Sequence, residues 1–380
     1  MGLLSVIKEL PTRKKILKLN PESFEEKSES ARYNKKQKEL IINEVGKEAS
    51  EFILKHVNLT KANNFLVATT TRFNIDKLQK DKFDNIINFK KINDARYVNK
   101  FFESINAKLK NGSIYINCVE TYATRRERVL KKYIPPFNWF YYLADVIFMR
   151  IFPKLPIAKK IYFFITKGQN RVLTRAETYG RIYSCGFEII DEKTFDNKLY
   201  FVARKIKEPV FDNNPSYGLL VRLRRVGKGG KLFNVYKLRT MHAYAEYLQE
   251  YVHKHNSLKE GGKFKNDFRI TNEGKIFRKF WLDELPMLIN LLKGEMKLVG
   301  IRPLSKHYFG LYTEELQKER IKTKPGLVPP FYADMPKNLD EIIESELRYL
   351  KAHQKSPIRT DIRYFFKAFY NIFLKGARSS

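Results

Sequence analysis

Cysteine is scarce. Cys118 and Cys185 are the only two in a chain of 380 residues, which excludes a disulfide framework and a thiolate metal site at usable spacing and fits a reducing, cytoplasmic location. The histidines His56, His242, His253, His255, His307 and His353 are spread along the chain and form no metal triad; His253 and His255 read as a solvated pair. Acid is also in short supply: 41 Asp and Glu face 73 Lys and Arg, leaving a formal charge of +32. Such a charge calls for an acidic partner, whether nucleic acid, an anionic membrane surface or a phosphorylated substrate. Long apolar runs are missing too, since no stretch reaches the roughly 18 consecutive apolar residues of a spanning helix. The first residues, Met1 to Lys8, carry only a short apolar patch followed by Pro11-Thr-Arg-Lys-Lys, which does not read as a signal peptide.

What is present suffices for packed cores. Hydrophobic residues make up 43% of the chain and aromatics 14%, enough for two or three compact domains. Residues 1–50 read as a polar, loosely ordered or helical lead-in. From Phe65 the pattern changes to short β-rich runs at Phe65, Ile86, Ile114, Phe187 and Leu199, separated by helical stretches. That alternation predicts an α/β fold, with a Rossmann-like, mostly parallel sheet over residues 51–207. An amphipathic helix is expected from Asn93 to Leu109, with Asn111-Gly112 turning the chain into the next strand. The order helix, Asn-Gly, strand, insertion, helix with Gly180, then Cys185-Gly-Phe-Glu-Ile-Ile and a hairpin is similar to the second half of a class I methyltransferase. A glycine-rich loop that would let the backbone approach a nucleotide cofactor is missing after Phe65 to Thr71, so a scaffold or sensing role is favoured over methyl transfer.

The most apolar segment, residues 138–167, falls as an insertion in that layer. Asp145, Arg150 and Pro153 interrupt it, and two readings stay open: a buried core hairpin, or a membrane-dipping helix with a proline break. In the second, Trp139, Tyr141 and Tyr142 suit an interface while Arg150, Lys154, Lys159 and Lys160 meet anionic headgroups. A turn-rich linker, Glu208 to Gly218, then leads to a second domain over residues 217–380.

The second domain carries the chemistry. Arg225-Val-Gly-Lys-Gly-Gly-Lys-Leu-Phe233 precedes a strand on which Lys237 and Arg239, two apart, point to one face. Two cations on one face can clamp a diphosphate, although a solvated basic hairpin has the same appearance. Asp267, Arg269, Ile270, Thr271, Gly274 and Arg278 follow, and arginine offers planar, permanently charged contacts to phosphate. Next come Trp281-Leu-Asp-Glu-Leu-Pro286 and an apolar helix expected to bury Met287, Leu288, Leu291 and Leu292 before Lys293-Gly294 ends it. Taken alone, Asp283 could be the N-cap of that helix, with Pro286 in the first turn. Val299-Gly-Ile-Arg-Pro303 and Lys324-Pro-Gly326 complete the set.

In this order the motifs closely resemble the bacterial sugar transferase family, the monotopic phosphoglycosyl transferases that load a sugar phosphate onto polyprenyl phosphate. Two departures are Ile301, where the family has proline, and Leu327 to Pro336, which replaces a Trp-rich segment. The resemblance implies a C-terminal α+β, monotopic, membrane-associated catalytic domain on the cytoplasmic face of the bacterial inner membrane. Its implied partners are a nucleoside diphosphate sugar, polyprenyl phosphate and anionic lipids, with no nucleic acid. It implies that Asp283 is the nucleophile and carries the phosphosugar, and that Glu284 holds Mg²⁺. Arg225, Lys237, Arg239, Asp267, Arg269, Arg278 and Arg302 are then the candidates for phosphate and substrate binding.

At the C-terminus, residues 358–378 place Ile362, Phe365, Phe366, Phe369, Ile372 and Phe373 at helical spacing among Arg359, Arg363, Lys367, Lys375 and Arg378. That is the pattern of a basic interfacial helix, or of a helix packed on the core. Two other readings of the whole chain compete. A basic nucleic-acid-binding protein would need exposed stacking rings on a basic patch and no Asp283. An S-adenosylmethionine-dependent methyltransferase would work through the first domain.

Overall fold

A computed structural model of the protein describes residues 24–60, 63–155, 157–212, 218–255 and 267–375. Tyr217 and Arg378 lie outside the described residues. The chain divides into two units, Met1–Phe211 and Asp212–Ser380.

All five β-rich runs of the first unit are strands: β1 Asn64–Val67, β2 Phe83–Asn88, β3 Leu109–Val119, β4 Phe187–Phe195 and β5 Lys198–Lys205. They form one sheet in the order β1-β2-β3-β5-β4. β1, β2 and β3 are parallel, and β5 is antiparallel to both of its neighbours. The sheet is therefore mostly parallel, with β1, β2, β3 and β4 running one way and β5 alone reversed between β3 and β4. The cause is local: Asp196 and Asn197, both at positive φ, make a two-residue hairpin turn, which allows only an antiparallel return.

Asn111-Gly112 differs from expectation. It lies inside β3 as a bulge, where pairing with β2 shifts from Phe83↔Leu109 to Asn85↔Ile114 and Gly112 takes φ 80. The helix expected from Asn93 starts later, as α3 Val98–Asn106. Asn93 is held back by its buried amide, which donates to the carbonyls of Glu120 (2.8 Å) and Arg171 (2.7 Å).

Two further helices, α1 Phe24–Val45 and α2 Lys47–His56, include much of the stretch read as a polar lead-in. Their apolar residues Ile41, Val45, Ala49, Phe52 and Ile53 pack with Ile87, Ile116 and Val202 of the sheet. Residues alternate across a strand, so Tyr115 of β3 faces the other way and meets Phe102 of α3 at 6.0 Å between ring centroids.

Between β3 and β4 the chain makes α4 Tyr122–Lys132, α5 Phe137–Val146, α6 Ala158–Thr166 and α7 Arg175–Ser184. Thr121 and Thr174 cap α4 and α7, each hydroxyl accepting from the backbone N–H three residues on. A π-helical turn, Ile147–Ile151, and a 3₁₀ turn, Phe152–Lys154, extend α5. The apolar insertion is thus a helical hairpin, and it is not buried: within α5 only Asn138, and within α6 only Tyr162, are buried. Among the described residues no helix is long and apolar enough to cross a membrane.

In the second unit, β6 Leu220–Val226 and β7 Leu232–Leu238 form a hairpin. Then come α8 Asn272–Lys279, a 3₁₀ turn Leu282–Met287 and α9 Leu288–Leu292. β8 Lys297–Val299 pairs in parallel with β9 Gly326–Val328, and α10 Leu339–Lys355 and α11 Pro357–Leu374 close the chain. Tyr312, Leu316, Tyr332, Tyr349, Leu350, Tyr364 and Ala368 are buried together in the main core. Met287 is buried with Val235 and Met296, as its spacing predicts. Leu288 and Leu292 are not, and Leu292 is 90% exposed. A 3₁₀ turn repeats every three residues, so it breaks the 3.6-residue stripe on which those leucines were placed.

Candidate active site

The site begins with backbone stitching. Thr271 N–H donates to the Thr240 carbonyl (3.0 Å) and His242 N–H to the Arg269 carbonyl (2.8 Å), which ties the end of β7 to the start of α8. Gly274 makes this approach possible, because a Cβ there would lie 2.0 Å from the Thr240 oxygen. Gly300 and Gly326 meet in the same way, a Cβ on Gly326 falling 2.1 Å from the Gly300 nitrogen. The Val-Gly-Ile-Arg-Pro and Lys-Pro-Gly motifs are therefore one structural feature, the parallel pair of β8 and β9 extended through Gly300 and Ile301, and Arg302 follows directly on it.

Asn290 fixes the dyad to β7. It is fully buried, donates to the Asn234 carbonyl (2.7 Å) and accepts from Tyr236 N–H (3.1 Å). Trp281 turns the chain into the dyad with φ 54 and packs its ring 5.6 Å from that of Tyr332. Neither residue was singled out from the sequence. Asn290 leaves a trace there, as a lone amide inside the apolar run Leu288–Leu292.

Asp283 and Glu284 lie in the first turn of the 3₁₀ segment, whose cap position is Trp281 with no side-chain cap bond. The N-cap reading of Asp283 is thereby removed. A 3₁₀ turn followed by one α turn also offers much less dipole than the longer helix expected here. Charge compensation comes instead from side chains. Lys237 Nζ donates to Glu284 Oε1 at 2.6 Å, and Arg302 Nη2 is 3.9 Å from the same oxygen. Burial, and then repulsion from Glu284, push the Asp283 carboxyl above its usual range, opposed by Lys237 and Arg278. Arg278 donates from Nε to the Thr240 hydroxyl (3.0 Å); burial lowers its pKa while Asp283 pulls the other way. Arg225 is lowered by burial and by the nearby charge of Arg302. One half-buried anionic pair thus faces the cations of Lys237, Arg278 and Arg302, with Arg225 beside Arg302.

The other sequence candidates are placed differently. Arg239 lies just beyond Leu238, the last residue of β7, so the alternation that would set it beside Lys237 no longer holds; its Nε donates to the Gly218 carbonyl (3.0 Å). Arg269 is buried, donates to both Asp267 oxygens (2.7–3.1 Å) and binds Gln249 at 2.6 Å. Arg269 and Asp267 thus form a closed internal pair beneath the site. A cavity of about 280 Å³ lined by Lys228, Lys297, Lys322, Lys324, His353 and Glu319 opens elsewhere, beside Lys297 at the start of β8, and does not include the dyad.

Among the described residues no group of three or more His, Cys, Asp or Glu side chains could hold a metal by itself. The Asp283-Glu284 carboxylates still suit Mg²⁺, a hard cation that commonly takes one or two carboxylates and completes its shell with water and substrate phosphate. Burial raises Asp283 first and repulsion from Glu284 adds to it, and such a cation relieves the repulsion.

Residues 211–375 match the model of the bacterial sugar transferase family. The chain is 38% identical over 131 residues to galactosyl transferase CpsE of Streptococcus agalactiae, covering 33% of this chain and 29% of that protein. It is 38% identical over 126 residues to the uncharacterized sugar transferase EpsL of Bacillus subtilis, covering 33% and 52%. To the undecaprenyl-phosphate galactose phosphotransferase of Salmonella typhimurium it is 38% identical over 109 residues, covering 27% and 23%. In each case the chain spans less than two thirds of the relative's length.

Proposed function

We propose, taking residues 211–375 as a bacterial sugar transferase domain, that the protein moves a sugar 1-phosphate from a nucleoside diphosphate sugar to polyprenyl phosphate. This step would begin the assembly of a glycan on its lipid carrier. The observation that carries the reading is the Asp283-Glu284 pair held between Lys237 and Arg302 with Arg278 nearby, an anionic centre in a cationic frame.

The transfer proceeds by two displacements, because a covalent carrier lets an aqueous donor and a lipid acceptor react in turn. A carboxylate oxygen of Asp283 attacks the sugar-bearing phosphorus. The anhydride bond breaks, and the nucleoside monophosphate leaves with the bridging oxygen. The resulting acyl phosphate is attacked at the same phosphorus by an oxygen of polyprenyl phosphate, which frees the Asp283 carboxylate and gives the polyprenyl diphosphate sugar. Partial desolvation of Asp283 makes it a better nucleophile once ionised. Lys237, Arg278 and Arg302 bind and orient phosphate oxygens and balance the charge that builds on them. Glu284 is the residue that holds Mg²⁺, which when bound neutralises the diphosphate.

The lipid acceptor accounts for apolar exposure near the dyad. Phe280, Leu285 and Leu288 are all exposed beside Asp283 and Glu284. On α11, Tyr364 and Ala368 are buried, while Ile358, Ile362, Phe366 and Phe369 form an exposed stripe at spacings of four and three. An amphipathic helix with basic residues around such a stripe rests in a membrane interface. This favours membrane-surface catalysis over binding of nucleic acid.

The test is direct. Detergent-solubilised protein is incubated with a labelled nucleoside diphosphate sugar and Mg²⁺, nucleoside monophosphate release and a protein-bound phosphosugar are followed, and polyprenyl phosphate is then added to collect the lipid-linked product. Both should appear and should vanish in Asp283→Asn; release that persists without Asp283, or no lipid-linked product, rejects the reading.

A further inference from the structure

The helical hairpin inserted between β3 and β4 of the first unit belongs to no part of this chemistry. Its two arms meet through Phe148 and Tyr162, whose ring centroids are 5.7 Å apart. Phe140, Leu143, Ile147 and Ile151 are left exposed along the first arm at spacings of three and four, and Ile157, Ile161, Phe164 and Ile165 along the second. Phe164 is 85% exposed. Isolated exposed apolar residues are ordinary, but two helical stripes on one hairpin form a patch of the kind that marks an interaction surface.

Charge identifies what covers it. Between Thr121 and Lys167 the acids are Glu127 and Asp145, against Arg125, Arg126, Arg128, Lys131, Lys132, Arg150, Lys154, Lys159, Lys160 and Lys167. Asp145 is turned inward and neutralised, accepting two bonds from the buried Arg125 at 2.8 and 2.6 Å. That pair, with the buried Asn138 donating to the Leu130 carbonyl (3.2 Å), docks the first arm on α4 by its polar side and turns the apolar side out. Trp139 and Tyr141, half exposed near the start of α5, have the amphipathic rings that favour the headgroup layer. Lys131 and Lys132 at the end of α4 and Lys159 and Lys160 in the first turn of α6 are exposed.

We propose that this hairpin is a second membrane-docking element, by which the first unit inserts its apolar face into the surface of an anionic bilayer while its lysines and arginines engage the headgroups. The excess of basic residues and the interfacial aromatics favour anionic lipid over a second copy of the chain, because a surface of one sign repels its own image. The arms lie in the surface and do not cross it, since neither is long enough to span.

Trp139 reports on this directly, for it and Trp281 are the two tryptophans of the chain. In the full chain carrying Trp281→Phe, vesicles containing phosphatidylglycerol should shift Trp139 emission to the blue, and brominated acyl chains should quench it. Added salt, or Lys159→Glu with Lys160→Glu, should weaken the response severalfold. Phe140→Ser with Ile147→Ser and Phe164→Ser, all at exposed positions, should abolish it with the thermal unfolding profile retained. Trp139 emission indifferent to vesicles overturns the proposal. So does a blue shift that depends on protein concentration without lipid, which would make the occupant a second copy. Neither outcome bears on transfer through Asp283, which is read by product formation.

Discussion

Lys237 and Glu284 form an ion pair of 2.6 Å across 47 residues of sequence. The pair exists because Asn290 fastens α9 to β7 at Asn234 and Tyr236, so the strand carrying Lys237 cannot drift from the turn carrying the dyad. With Arg302 at 3.9 Å on the same oxygen, Glu284 is held in one orientation beside Asp283.

Removing that ammonium leaves Glu284 with a more distant compensating charge and takes a cation from the transferring phosphate. Lys237→Met should lower sugar-phosphate transfer about 100-fold, the usual cost of losing one preorganised electrostatic contact. Lys237→Arg, which keeps the charge but cannot keep a single 2.6 Å contact in the same place, should recover only part. Steady-state transfer rates with the fold checked by circular dichroism decide it.

Asp283 should govern the acid side of the pH profile. Burial and Glu284 raise its pKa, so its ionised, nucleophilic fraction grows as pH rises through a value above that of an ordinary aspartate, and adduct formation should climb over that range. The linked effect on stability has the opposite sign. A carboxyl that holds its proton more tightly when folded favours the folded state at low pH, and that contribution is lost as pH rises through the folded pKa. Asp283→Asn removes the buried negative charge, so at neutral pH it should raise Tm while abolishing the adduct. A Tm that falls in this variant would contradict the placement of the group.

The strands were legible because β-branched and aromatic clustering at Ile86, Ile114 and Leu199 reflects burial on a sheet, and burial is what periodicity records. The hairpin of β4 and β5 was legible as well, and Asp196 and Asn197 make its turn at positive φ; the strand order was not, since only packing puts β5 rather than β4 beside β3. At the site, Asp283, Glu284, Lys237, Arg278 and Arg302 could be picked out as charges in a fixed order. The difference between Arg278, near the dyad, and Arg269, closed on Asp267, could not, since both are arginines in one motif and only packing separates them. Leu288 and Leu292 misled for a related reason: one 3₁₀ turn before them rotates the stripe that a uniform helix would bury.

The terminal helix has two apolar sides with different duties. Tyr364 and Ala368 belong to the core, Asn371 donates to the carbonyls of Tyr332 and Ala333 at 3.0 and 2.9 Å, and Asp361 holds Lys297 at 2.9 Å. Deleting residues 358–380 should therefore unfold the second unit and says nothing about membranes. Ile362→Ser with Phe366→Ser touches only the exposed stripe and should leave Tm nearly unchanged while reducing the fraction that pellets with membranes, as measured by fractionation.

Arg320 and Glu346 form the most deeply buried ion pair described in the second unit, with side chains 3% and 1% exposed, and Arg320 also donates to the Arg302 carbonyl at 2.5 Å. The pair thus links the core to the backbone of a phosphate-binding candidate. Glu346→Gln or Arg320→Met strands the remaining buried group, and the cost should be about 3–5 kcal/mol in denaturant unfolding. Replacing both together by apolar residues of similar volume should cost much less, since a buried pair returns little beyond its own desolvation. The double variant should nevertheless transfer sugar phosphate more slowly, because Arg302 loses its backbone tether. A double variant with full stability and full activity would show that Arg320 supports packing alone.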